Sequence, residues 1–243
     1  MKRSLSLFLL FIMAACSKNT QEVTIGVDPS FFPLEIQGKE TQVFAFSTEL
    51  LQKIGAIEKI RFERITTSWD NLLFGLREEQ YMAALSSLDP YVFNTAKYSF
   101  SDIYLPTGPV LIVPVDSSIT SFADLSQGTL AVEGEESAKY VLSQDSSILV
   151  EVYATLAQAL DDVNQGAISA AYIPYIPALA YVNNVYQGRL KIISSPSMDR
   201  GLRLITNKEA HPQLIKRFNE GLEKLVKTGE LESLKQKWSL SLP

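Results

Sequence analysis

Residues 69–87 and 155–173 follow one plan: a short helix, a polar turn, and an alanine-rich strand that runs into a loop. In the first, Leu72, Leu73 and Leu76 take helical spacing ahead of Met82-Ala83-Ala84-Leu85-Ser86-Ser87. In the second, Leu156 to Val163 precede Gly166 and Ala167-Ile168-Ser169-Ala170-Ala171-Tyr172. A short run of small and apolar residues with no polar face marks a strand covered on both sides, and a neighbouring helix supplies the cover. Sequence identity between the copies is negligible, so what repeats is the plan. It predicts an α/β chain of two similar lobes, each with a loop at the carboxyl end of a buried strand, where open α/β sheets bind ligands. In the first lobe that loop opens at Asp89-Pro90, where proline stops the strand.

The flanking segments fit the same architecture. Val23 to Val27 alternates toward a strand and enters a loop, Asp28-Pro29-Ser30-Phe31-Phe32-Pro33, with two prolines and two aromatics. Phe46, Leu50, Leu51 and Ile54 predict a helix over Gln42 to Ile54, with Gly55 as its stop. Ile60 to Ile65 alternates as a strand, and Ser68 has the right chemistry to cap the helix after it. Val110 to Val115, Thr129 to Val132 and Val150 to Tyr153 read as strands. Glu133-Gly134-Glu135-Glu136-Ser137 reads as a turn ahead of a helix through Ala138, Tyr140, Val141 and Leu142. After a strand at Leu202 to Ile205, His211-Pro212 starts a long amphipathic helix, Gly229 punctuates it, and a last helix carries Leu231, Leu234 and Trp238.

Lys2 and Arg3 precede a short apolar run from Leu5 to Met13, too short to span a bilayer, which closes on Ala14-Ala15-Cys16. This resembles a bacterial lipoprotein signal, with lipidation expected at Cys16, although Met13 stands where leucine is usual. An ordinary secretory peptide is the alternative, but a single cysteine allows no internal disulfide, and an unmodified thiol is unusual in an exported chain. Cleavage before Cys16 leaves about 228 residues with 20 basic against 27 acidic side chains, about −7. That balance argues against nucleic acid and against electrostatic binding to membranes, leaving the N-terminal lipid as the expected membrane contact.

Three stretches carry a family resemblance. Ser68-Trp69-Asp70-Asn71-Leu72-Leu73, Tyr98-Ser99-Phe100-Ser101-Asp102-Ile103-Tyr104 and the segment Gly201 to Trp238 resemble the corresponding motifs of the solute-binding proteins of amino-acid ABC importers, the glutamine-binding-protein type. The resemblance covers nearly the whole mature chain. It implies a type II periplasmic-binding-protein fold: mixed sheets with helices on both faces, and a hinge of two crossing strands near Pro106-Gly108 and Ser195-Gly201. Residues 1–16 would be the signal, 17–22 a tether, 23–107 with 202–243 the first lobe, and 108–201 the second. A monomer is expected, with a small polar solute between the lobes, the importer's permease as partner, and no cofactor.

Carried over position by position, the family's aspartate after the first strand falls on Asp28, and its two ligand-sandwiching aromatics on Phe31 and Trp69. Its glycine and threonine after the alanine-rich strand fall on Ser87 and Asp89, and the arginine that clamps the ligand carboxylate falls on Asn94. In the second lobe, the residue before the anion-binding turn falls on Glu133, the turn on Glu135-Glu136-Ser137, and the aspartate for the ligand ammonium on Pro174. These exchanges change the chemistry. Asn94 offers a neutral hydrogen bond in place of a guanidinium fork. Asp89 at contact distance from a ligand carboxylate would repel it by about 4 kcal/mol at an effective dielectric near 20. Carboxylates beside aromatic faces suit a cation instead, such as a polyamine, a guanidinium compound or a peptide.

Two other classes compete. An enzyme on this fold needs a positioned acid or base, and Glu133 has no evident partner; His211 stands before a proline at a helix start, and Ser86-Ser87 has no histidine nearby. No Cys/His cluster suggests a metal, and no glycine-rich phosphate loop follows a strand. A receptor that keeps the fold to read a protein partner would also tolerate loss of the clamp.

Overall fold

The computed structural model describes residues 20–31, 36–196 and 200–241; the signal with Cys16 lies outside them. In chain order the elements are β1 (Gln21–Val27), α1 (Glu40–Glu58), β2 (Ile60–Thr66), α2 (Trp69–Arg77), β3 (Ala83–Ser86), α3 (Val92–Thr95), β4 (Tyr98–Phe100) and β5 (Leu105–Pro106). Then come β6 (Pro109–Pro114), β7 (Thr129–Glu133), α4 (Gly134–Gln144), β8 (Leu149–Tyr153), α5 (Leu156–Gln165), β9 (Ala170–Pro174), α6 (Tyr175–Ala180) and β10 (Leu190–Ile192). The chain closes with β11 (Gly201–Asn207), α7 (Pro212–Lys227) and α8 (Glu230–Lys237). No helix among the described residues is long and apolar enough to cross a membrane.

The strands form two mixed sheets, ordered β2-β1-β3-β11-β4, with β5 also on β11, and β8-β7-β9-β6-β10. The orders correspond strand for strand. β1 lies parallel to β2 and β3 as β7 lies parallel to β8 and β9, while β11 and β6 run antiparallel to the alanine-rich strands. The repeated plan of the sequence is therefore a repeated topology, with α2–β3 answered by α5–β9. β3 is buried along its whole length and β9 along all but Pro174, as their lack of a polar face requires.

Packing decides several details that local pattern does not. Gly55 does not end α1, which continues to Glu58 and stops at Lys59 in the left-handed conformation. A β-carbon at Gly55 would meet the Ile60 carbonyl oxygen at 2.4 Å, so this glycine admits the incoming strand. Ser68 does precede α2, but its side chain caps no helix N–H; its hydroxyl accepts from the Asn71 carboxamide at 3.0 Å. The turn expected at Glu135-Glu136-Ser137 is the first turn of α4, because Gly134 (φ 75°) lets the helix begin directly at the end of β7. α6 and β10 were not signalled in the sequence.

Two carboxylates fasten the C-terminal helix to α1: Glu230, reached by Lys53 at 2.8 Å, and Glu49. Glu49 accepts from Lys237 Nζ at 2.7 and 2.9 Å and from Trp238 Nε1 at 3.0 Å. The Lys237 hydrogen bond, joined by that of Trp238, holds the Glu49 carboxyl below its ordinary value against the opposing pull of burial. A depressed carboxylate contributes stability above its unfolded pKa and loses it as pH falls through the folded one. Glu49→Gln is thus expected to melt lower than the parent at neutral pH, with the two curves converging below about pH 4. Thermal melts across that range check it.

Candidate functional site

The chain leaves the first sheet at Pro106 and enters the second at Pro109, with Thr107 and Gly108 between. Pro106 pairs with Gly201 at the start of β11, two residues before Arg203 meets Ser86, the last residue of β3. Pro109 pairs with Pro174, the last residue of β9. The parallel strands of both sheets therefore point their carboxyl ends at the same crossing. A cleft between two such ends gathers the residues that follow β1, β2 and β3 on one side, and β7 and β9 on the other.

Asp28, Trp69, Ser87 and Asp89 follow strands of the first sheet, and Glu133 and Pro174 end strands of the second. Asp28 follows β1 and is 5 % exposed; its carboxylate accepts from Ser30 N at 3.0 Å and Ser30 Oγ at 2.8 Å, closing a tight turn. Phe31 sits in that turn at φ 51°, and its carbonyl accepts from Ser87 Oγ at 3.1 Å, which joins the loops after β1 and β3. The Phe31 ring is packed in the largest apolar cluster rather than presented to solvent. Trp69 opens α2 and is half-buried against the cluster of Leu72, Leu76 and Tyr81. Glu133 ends β7 opposite Tyr153, Pro174 leads into α6, and Ser137 lies half-buried in the first turn of α4.

Asn94, which the resemblance aligns with the family's clamping arginine, makes a local contact. It is 7 % exposed, and its Nδ2 donates at 2.8 Å to the Asp89 backbone carbonyl. The carboxamide ties the Asp89 loop to α3 and brings no positive charge. Beyond the tie, Tyr91, just before α3, and Val92 and Phe93 at its start are exposed to solvent, with the two rings 5.9 Å apart.

Two cations escaped the sequence reading. Arg203, on β11 beside Ser86, donates from Nη1 to the Ser101 carbonyl at 3.3 Å. Lys39, at the start of α1, is 5 % exposed, and burial pushes its pKa down. It has no acceptor for its ammonium among the described residues, and its neighbour Gly38 lies against Ala180 of α6. Nothing in the local pattern flags either residue: one is a charge within a strand, the other a lysine in a polar loop. No cluster of His, Cys, Asp or Glu able to hold a metal occurs among the described residues.

Trp69 and Trp238 are the protein's two tryptophans, and only Trp69 stands at the cleft. A ligand entering the cleft should change emission from Trp69. Trp69→Phe should abolish that change, while Trp238→Phe leaves it intact; titrations of both variants check this.

Residues 23–241 match the sequence profile of the bacterial extracellular solute-binding proteins, family 3. The chain is 25 % identical over 225 residues to a probable amino-acid ABC transporter-binding protein of Haemophilus influenzae, covering 91 % of this chain and 86 % of that one. It is 24 % identical to the arginine-binding extracellular protein ArtP of Bacillus subtilis, over 95 % of this chain and 93 % of the relative. Among solved structures, the L-cystine solute receptor of Neisseria gonorrhoeae in its unliganded open conformation superposes with a TM-score of 0.74 at 22 % identity, over 93 % of this chain and 96 % of that one.

Proposed function

The chain belongs to the bacterial extracellular solute-binding proteins, family 3, and on that premise we propose that it captures a cationic amino acid or related amine for an ABC importer. The family and the matched relatives are binding proteins of ABC transporters, which supports a role in solute capture for an importer. In this reading residues 23–107 and 202–243 form the first lobe and residues 108–201 the second, and the lobes close on the solute by rotation about the two crossings. A lipid on Cys16 holds the protein at the outer face of a membrane, and the permease receives the solute from the closed form.

The observation that carries the ligand class is the set of carboxylates at the carboxyl ends of the parallel strands: Asp28 and Asp89 on one side, Glu133 on the other. A cation between them gains charge pairing in a partly desolvated cleft, and the face of Trp69 adds a cation–π contact. Every free amino acid brings an α-carboxylate, whose clamping arginine is replaced by Asn94, one of whose two donors is already engaged. The additional positive charge of a cationic amino acid or an amine is what three carboxylates favour over a neutral one. Relatives named for arginine binding accord with a cationic ligand.

Calorimetry with arginine, lysine, an aliphatic diamine, cystine, glutamine and leucine tests the proposal. Micromolar or tighter binding is expected for one of the cationic compounds, with glutamine and leucine at least a hundredfold weaker. Micromolar affinity for glutamine or leucine would overturn it.

A further inference from the structure

The outer edge of the first sheet carries a groove of about 560 Å³ between α1 and the edge strand β2. Its apolar floor is Leu51, Ile60 and Phe62, and its lining includes three cations, Lys59, Arg61 and Arg64, and no carboxylate. Such a concentration is unexpected in a chain of net charge −5. Arg61 reaches Glu22 at 3.2 Å, a pair exposed on both sides. Arg64 donates to Thr48 and lies over the Phe44 ring with its charge uncompensated by any carboxylate among the described residues. Lys59 likewise has no ion pair among the described residues. Exposed positive charge above an apolar floor is complementary to a phosphodiester headgroup with the first carbons of its acyl chains.

Thr20, where the described chain begins, also lines this groove, and Gln21 N donates to the Lys59 carbonyl at 3.2 Å. Four peptide units separate Thr20 from Cys16, a reach of at most about 14 Å. A lipid on Cys16 would therefore hold this particular face within headgroup distance of the bilayer. The groove begins beside Thr20 and follows β2 as far as Arg64, which pairs with Ile25, two residues before the end of β1.

We propose that the groove of Lys59, Arg61 and Arg64 binds the headgroups of anionic phospholipids, so that between deliveries the protein rests on the membrane along this edge of the first sheet. Delivery to a permease then requires release of this face and reorientation on the tether. The net charge of the whole chain opposes membrane binding at long range. Within a Debye length of about 8–10 Å, the local patch outweighs it. The proposal draws on the reading of Cys16 for its orientation, but the groove stands or falls separately.

Residues 17–243 keep every element of the fold and carry no acyl group, so they test the groove alone. They are expected to sediment with vesicles of phosphatidylglycerol and phosphatidylcholine about a hundredfold more than with phosphatidylcholine alone, the effect of three basic side chains at an anionic surface. Molar salt should remove the difference. The triple variant Lys59→Glu, Arg61→Glu, Arg64→Glu should lose it while still unfolding cooperatively, whereas Lys216→Glu with Lys227→Glu on α7 should not. Equal sedimentation with both vesicles, retention by the triple variant, or self-association through this face in place of vesicle binding would overturn the proposal. Palmitate labelling of the full chain in cells, with Cys16→Ser as control, reports on the anchor by itself.

Discussion

Gly26→Val is expected to leave too little folded protein to assay. A β-carbon at Gly26 would lie 2.4 Å from two ring atoms of Tyr81, and the ring has nowhere to go. On its other side, a β-carbon at Gly75 would already meet the phenol oxygen at 2.6 Å. The hydroxyl donates to the Leu72 carbonyl, and the side chain is 3 % exposed. The two glycines are thus the walls of a slot that Tyr81 fills, locking α2 onto β1. Forcing the ring out forfeits an aromatic core contact worth about 3–5 kcal/mol, and the branched side chain adds strain in a strand paired on both sides. That is a large share of the roughly 5–15 kcal/mol that holds a domain folded. The milder Gly26→Ala should cost about 1–3 kcal/mol, and in a Tyr81→Ala background much less, because the clash has gone. Urea denaturation of the four proteins measures this; a Gly26→Ala as stable as the parent would refute the slot.

Asp28→Asn should cut affinity for the cationic ligand by two to three orders of magnitude while leaving the fold intact. The asparagine oxygen can still accept from Ser30 N, so the turn that shapes the loop survives. What is lost is a negative charge facing the ligand cation, about 4 kcal/mol at contact in an effective dielectric near 20, or roughly a thousandfold before solvent screening reduces it. Asp28→Ala would confuse the result, since it removes the turn as well. Calorimetry on Asp28→Asn beside an unchanged melting curve is the measurement. An affinity within threefold of the parent would place the cation elsewhere in the cleft.

How far the sequence reached depended on whether the signal was local. The strand and helix periods, the alanine-rich strands and the proline that opens the Asp89 loop all lie within single elements, and the structure has each of them. Boundaries shifted where a neighbour intervened, as at Gly55, which passes the helix on because Ile60 needs the space. The candidate site was legible as a set of strand-end positions, because a register carried over from a family needs only chain order. Its chemistry was not. Asn94 reads from sequence as a ligand donor and in the fold is the tie that holds Asp89. Phe31 reads as a loop aromatic and in the fold is core.

The sequence by itself determined the elements, their repeated plan and the family, since periodicity and motif spacing are properties of short stretches of chain. Tertiary structure alone decided what the chain can hold and where. The two sets of strand ends face each other because Pro106 meets Gly201 and Pro109 meets Pro174 across a two-residue crossing. Lys39 is buried beside Gly38, which lies against Ala180 of α6, and Lys59, Arg61 and Arg64 line one groove because α1 lies beside β2. Each is a contact between residues whose local patterns carry no record of the other, so only the packed chain brings their charges within range.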